Sequence, residues 1–192
     1  MYLIPKDFTG TVYRLANQWF EHIPIFDEPI KYLEIGVLYG ANALSVAETY
    51  AKHDQSEIYC VDPWIQYKDD DKDNNYDMVN IYENFQNNIS VSKYKDKFKV
   101  YRNFSHKIVP TFEDNHFDMI YIDGNHGYIN VLEDAIISFR KLKINGYLIF
   151  DDVNWNNTSK SLDAFVSLYQ PFMEIISTEF CQMIIKKIND TN

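Results

Sequence analysis

The sequence predicts an α/β fold, a doubly wound and mostly parallel sheet of seven strands with a C-terminal antiparallel hairpin. Three observations carry that expectation. Five short apolar runs, at residues 32–37, 57–62, 98–104, 117–123 and 146–152, alternate with stretches of helical periodicity, the pattern of successive βαβ units. Two further β-rich runs, 173–180 and 182–188, follow Pro171 with almost nothing between them and should pair antiparallel. Four of the six glycines, Gly36, Gly40, Gly124 and Gly127, fall where a strand gives way to a helix, the place where open α/β sheets bind ligands.

The elements follow in order. Residues 12–22 have the spacing of an amphipathic helix, and residues 23–29 form a loop broken by Pro24 and Pro29. Residues 1–29 therefore read as a helix and cover segment on a core spanning 30–192, all of it one domain. Leu44, Ala47 and Ala51 share one helical face after the first strand. Residues 66–75, with Asp69-Asp70-Asp71-Lys72-Asp73, form a polar insertion, either a solvated loop or a mobile lid. Tyr128, Leu132, Ala135, Ile136, Phe139 and Leu142 share the face of a second helix, which should end at Asn145-Gly146 with the glycine left-handed, after the cationic turn Arg140, Lys141 and Lys143.

Composition narrows the function. Asp and Glu number 28 against 18 Lys and Arg, a net charge of −10 that disfavours a phosphate-backbone partner, so no nucleic acid is expected. No apolar run approaches the roughly 20 residues of a bilayer span, and the first residues lack a secretory pattern; the expectation is a cytoplasmic protein with no membrane partner. Cys60 and Cys181 lie in runs that read as buried strands and show no metal-type spacing, so both are expected to be reduced, structural thiols.

The first strand ends in Glu34-Ile35-Gly36-Val37-Leu38-Tyr39-Gly40-Ala41-Asn42, a carboxylate followed by a turn that lets a ligand approach the backbone. It has neither the GxGxxG spacing of a dinucleotide site nor the Gly-Lys-Ser/Thr ending of a P-loop. Asp62 ends the second strand, where an acid can accept hydrogen bonds from both ribose hydroxyls of a nucleoside, or simply cap the turn before Pro63. Trp64 is either a stacking partner for the base or an ordinary core aromatic.

Together with Phe117-Asp118-Met119-Ile120-Tyr121-Ile122-Asp123-Gly124, these segments resemble the class I S-adenosylmethionine-dependent methyltransferases over residues 30–153. Such a fold is Rossmann-like. Within that superfamily the likeness is to metal-dependent O-methyltransferases of the catechol and caffeoyl-CoA type and of the macrocin type, which acts on sugar hydroxyls. The resemblance implies that Glu34, Gly36, Gly40 and Asn42 surround the methionine end of the cofactor, Asp62 its ribose, and Trp64 and Ser105 its adenine. Asp123 is assigned to both the cofactor pocket and a metal set.

Asp123 and the pair Asp151-Asp152 end two strands that parallel pairing would bring together. Three converging carboxylates repel one another unless a cation compensates, and an all-oxygen set suits Mg²⁺ or another hard divalent ion. Capping of the following helix or turn is the simpler alternative for each. The resemblance adds that metal-dependent members carry an Asp at the first place and Asp-Asn or Asp-Asp at the second. It also implies a general base at His126, where the catechol type carries a lysine; a locally bonded helix-start residue is the alternative. His106 is a weaker candidate.

The expected activity is therefore S-adenosylmethionine-dependent, divalent-metal-dependent O-methylation of a small-molecule or glycan hydroxyl, in a protein for which a homodimer is an admissible assembly. A non-catalytic nucleoside-binding module is the competing reading. Gly124-Asn125-His126 also matches a fragment of metallophosphoesterases, but no histidine follows His126 to complete such a centre. Acceptor choice should lie with the N-terminal helix, the acidic insertion and residues 153–157.

Overall fold

The computed structural model describes residues 3–66 and 76–191. All of the insertion except Gln66 therefore lies outside the described residues. The chain runs β1 (Lys31–Ile35), α1 (Ala41–Glu48), β2 (Glu57–Val61), α2 (Met78–Ser90), β3 (Phe98–Tyr101), α3 (Ser105–Ile108), β4 (Phe117–Ile122), α4 (Tyr128–Lys141), β5 (Leu142–Phe150), α5 (Asn156–Tyr169), β6 (Met173–Ser177) and β7 (Met183–Lys187). The seven strands form one sheet in the order β3-β2-β1-β4-β5-β7-β6. β1 to β5 are parallel, and β7 is antiparallel to both its neighbours.

Both faces of the sheet are covered, which is why its strands read as nearly continuous apolar runs. Alternation along each strand divides the core in two. Tyr32, Ile58, Cys60, Met119, Tyr121 and Ile149 face α1 and α2, packing on Val46, Ala47 and Phe85. Leu33, Val61, Ile120, Ile122, Leu148 and Phe150 face α4 and α5, packing on Ala135, Phe139, Leu162 and Phe165. β1 pairs with β2 on one side and β4 on the other, so consecutive crossovers leave in opposite directions and open a crevice at the carboxyl ends of β1 and β4.

Several expectations are corrected. Residues 12–22 form no α-helix; only Ala16–Trp19 make a 3₁₀ turn. The reason is tertiary. Ser45 Oγ accepts the Ala16 N–H at 2.8 Å, and Trp19, fully buried, donates its indole N–H to Gln182 at 2.8 Å, so partners from elsewhere satisfy this segment. α4 passes directly into β5 at Leu142, and Asn145, not Gly146, has the positive φ of 68°. Gly146 is demanded by close approach, since a Cβ there would lie 2.9 Å from the carbonyl oxygens of both Asp118 and Lys143, inside an irregularity where the β4–β5 register shifts. Cys60 is buried in β2, but Cys181 is exposed in the β6–β7 turn with φ 61°. Among the described residues no helix is long and apolar enough to cross a membrane.

Candidate active site

The turn after β1 is built around two left-handed glycines. Gly36 has φ 81°, and a Cβ on it would stand 1.9 Å from the carbonyl oxygen of Asp123, so this residue lets the end of β1 press against the end of β4. Gly40, also at φ 81°, starts α1 beneath the Phe85 ring. Asp62 locks the turn from the neighbouring strand. Its Oδ2 accepts the N–H groups of Val37 (2.8 Å) and Leu38 (3.1 Å), and its Oδ1 accepts that of Trp64 (2.7 Å). A carboxylate offers about four lone-pair sites, so little acceptor capacity is left for a ligand. Burial raises the Asp62 carboxyl and the three N–H bonds oppose that rise.

A cavity of about 360 Å³ opens above this turn. Of the residues expected at the cofactor, Gly36, Asp62, Ser105 and Asp123 line it. Glu34, Gly40, Asn42 and Trp64 do not. Glu34 is 1% exposed and turned into the core, where its Oε2 accepts from Tyr32 (2.6 Å) and Asn42 (3.1 Å). Burial raises its carboxyl to about 8, with the Tyr32 hydrogen bond working the other way. Trp64 is 1% exposed, with its ring 4.6 Å from that of Phe85 and its indole N–H donated to the Leu38 carbonyl at 2.9 Å. It braces the turn from below and presents no face to the cavity; the core-aromatic alternative is the one the structure adopts.

The other end of the cavity carries the carboxylates. Asp123 follows β4, Asp151 and Asp152 follow β5, and all three line the cavity with His126. His126 Nε2 lies 3.3 Å from Asp152 Oδ2 and 3.8 Å from Asp123 Oδ1, and its ring sits 4.5 Å from that of Trp155. Asp123, His126 and Asp152 each offer a ligand atom within 4.8 Å of the others. Asp151 is engaged differently, accepting from Arg14 Nε at 3.1 Å. Burial pushes the Asp123 carboxyl up to about 7, His126 opposes that, and Asp151 and Asp152 add to it. The Asp123 and Asp152 carboxylates on one side of an open cavity fit a divalent cation, with positions left for outside oxygens, and His126 between them can act as a third ligand or as a proton acceptor but not as both.

Two residues escaped the sequence reading. Arg14 gave no signal, because its role depends on a segment that is not helical. Asp134 did give one. It stands among Val131, Ala135 and Ser138 on the buried face of α4, an acid where the period calls for an apolar residue, and it lines the cavity beside Ser105.

A doubly wound sheet with a glycine turn at its switch point and acids at the ends of β2, β4 and β5 defines the class I S-adenosylmethionine-dependent methyltransferase fold. Residues 33–153 match the family described as "Methyltransferase domain", and the chain belongs to it. No curated protein matches it in sequence. Among solved structures it is similar to the O-methyltransferase NovP, with a TM-score of 0.61 and 14% identity over 84% of this chain and 73% of that one. The methyltransferase PaMTH1 of Podospora anserina, solved with S-adenosylhomocysteine bound, gives a TM-score of 0.59 and 21% identity with the same coverage. At these identities the likeness is one of fold.

Proposed function

We propose that this methyltransferase moves the methyl group of S-adenosylmethionine to a hydroxyl of a small-molecule or glycan acceptor, with a divalent cation held by Asp123 and Asp152. The observation that carries this reading is the placement of Asp123, His126 and Asp152 in the same cavity as Gly36 and Asp62. The cofactor is read from family membership, and NovP, an O-methyltransferase of the same fold, supports oxygen as the acceptor atom.

A bound divalent cation would supply positive charge that favours the deprotonated form of the acceptor hydroxyl. The chain supplies the rest. Gly36 and the turn locked by Asp62 hold the cofactor's backbone contacts in place before binding. The acceptor oxygen bonds the methyl carbon as the methyl–sulfur bond breaks, the sulfur keeping that electron pair and leaving as S-adenosylhomocysteine, and the hydroxyl proton passes to His126 Nε2, the basic atom at the junction of the carboxylates. Asp151, whose Oδ1 accepts from Arg14 Nε, would share its negative charge between that guanidinium and the cation. Tyr13, Arg14 and Trp155 line this end and form the wall an acceptor meets.

The test is calorimetric titration with S-adenosylhomocysteine, followed by methyl transfer to catechols and sugars with Mg²⁺ and with excess EDTA. Binding, together with turnover that EDTA abolishes, is the expected result. Full turnover in EDTA overturns the role of the cation, and binding without transfer to any acceptor favours a nucleoside-binding module.

A further inference from the structure

With Trp64 in the core, the base of a bound nucleoside needs partners other than a stacked indole. The sheet order says where they lie. The carboxylates stand at the ends of β4 and β5, Asp62 at the end of β2, and Ser105 just beyond β3, at the start of α3. The lining of the cavity thus reaches from the carboxylates past Asp62 to Ser105 on α3, with Asn130 and Asp134 of α4 on the wall beside Gly124. A ligand with its methyl at the carboxylates and its ribose near Asp62 directs its base towards Ser105 and the α4 wall.

Asp134 is the buried acid there. It is 4% exposed and lines the cavity one helical turn beyond Asn130, which lines it too. Its Oδ2 lies 3.4 Å from where a Cβ on Gly124 would stand, and Ser105 donates a hydrogen bond to it. Its charged neighbour is Glu133, of the same sign. Burial raises this carboxyl to about 7, the Ser105 hydrogen bond opposing, so a further donor from a ligand would stabilise its ionised form.

We propose that Asp134 selects the base of the bound nucleoside, accepting a hydrogen bond from the exocyclic amino group of an aminopurine while Ser105 orients the carboxylate. Where Asp134 is ionised, above about pH 7, an oxopurine would set a carbonyl oxygen against that carboxylate and be rejected, because an unpaired buried acceptor is expensive. Phe104 and Ile65, both lining the cavity, frame the ring. This rests on the cavity being the S-adenosylmethionine site.

The experiment is calorimetric titration of the full chain, at a pH above about 8 so that Asp134 is ionised, with S-adenosylhomocysteine and with its hypoxanthine counterpart, S-inosylhomocysteine. Wild type, Asp134→Asn, Asp134→Ala and Ser105→Ala are compared, each checked for a cooperative melt. Wild type should prefer the adenosyl compound at least about tenfold. Asp134→Asn, which keeps the shape and adds an N–H donor, should bring the preference to parity or invert it, and Asp134→Ala should lose affinity for the adenosyl compound alone. Ser105→Ala should give a smaller loss of the same sign. A folded Asp134→Asn that keeps the wild-type preference overturns the proposal while leaving the cofactor site intact. Wild type that binds neither compound overturns the cofactor reading itself, and the proposal with it.

Discussion

The two ends of the cavity are built on opposite principles. At the turn after β1 every strong group already has its partner: Asp62 takes three backbone N–H groups, and Trp64 fills the space below and bonds Leu38. At the ends of β4 and β5 three carboxylates face one imidazole and one guanidinium. The first end is finished before any ligand arrives. The second carries an excess of negative charge that an outside cation would neutralise. A fixed backbone cradle and an uncompensated charge cluster thus share one crevice, and substitutions should affect the two differently.

The sharpest break is Gly36→Ala. Its Cβ would fall 1.9 Å from the Asp123 carbonyl oxygen at φ 81°, so both ends are displaced together. Denaturant unfolding should show a loss of about 3 kcal/mol or more, and S-adenosylhomocysteine binding should vanish. Asp123→Asn separates the ends. Turnover should fall about 100-fold or more while S-adenosylhomocysteine affinity stays within about threefold. Comparable losses in both quantities would show that the ends act as one site.

Asp62→Ala strikes the finished end alone. It leaves three N–H groups without their acceptor and should cost about 2 kcal/mol of stability, read by denaturant unfolding, with weaker cofactor binding. Glu34 supports that end from the core and gives it a pH signature. Its carboxyl lies at about 8 against an ordinary 4.5, so between these values the folded chain binds the extra proton. Its contribution is full below about 4.5 and is lost as pH rises through about 8. Melting temperature should therefore fall over that interval, and Glu34→Gln should flatten the fall. A variant that melts with the wild-type pH dependence would place the proton elsewhere.

The smallest effect is expected from Arg14→Ala. The pair is partly exposed at the guanidinium, so stability without cation should drop by only about 1 kcal/mol. Mg²⁺ affinity, measured by titration calorimetry, should rise by about threefold as Asp151 is released. Weaker Mg²⁺ binding would mean that Arg14 holds the cation site together instead of competing for it.

Much of this arrangement could be read along the chain. Strands buried on both faces announce themselves as apolar runs, and an acid at the end of such a run stands out, as Asp62, Asp123 and Asp151-Asp152 do. α2 carries a legible stripe, Ile81, Phe85 and Ile89 four residues apart, set among asparagines, whereas α5 opens on the polar run Asn156 to Ser161 and shows its apolar face only at Leu162 and Phe165. Trp64 illustrates a different limit. A tryptophan two residues after a strand-end acid has the same sequence whether its ring faces the cavity or Phe85.

What the sequence by itself determined is the alternation of strands and helices, the glycine turn and the strand-end acids, because each is a local pattern with its own period or conformational demand. The tertiary structure alone decided that residues 12–22 form one 3₁₀ turn and no α-helix, that Glu34 and Trp64 turn inward, that Arg14 reaches Asp151, and that Asp134 stands beside Ser105. Glu34 turns to near neighbours, Tyr32 and Asn42, whose side chains meet it only in the folded core; the others depend on partners farther along the chain, Arg14 and Asp151 being 137 residues apart, and no local propensity encodes a contact across that separation.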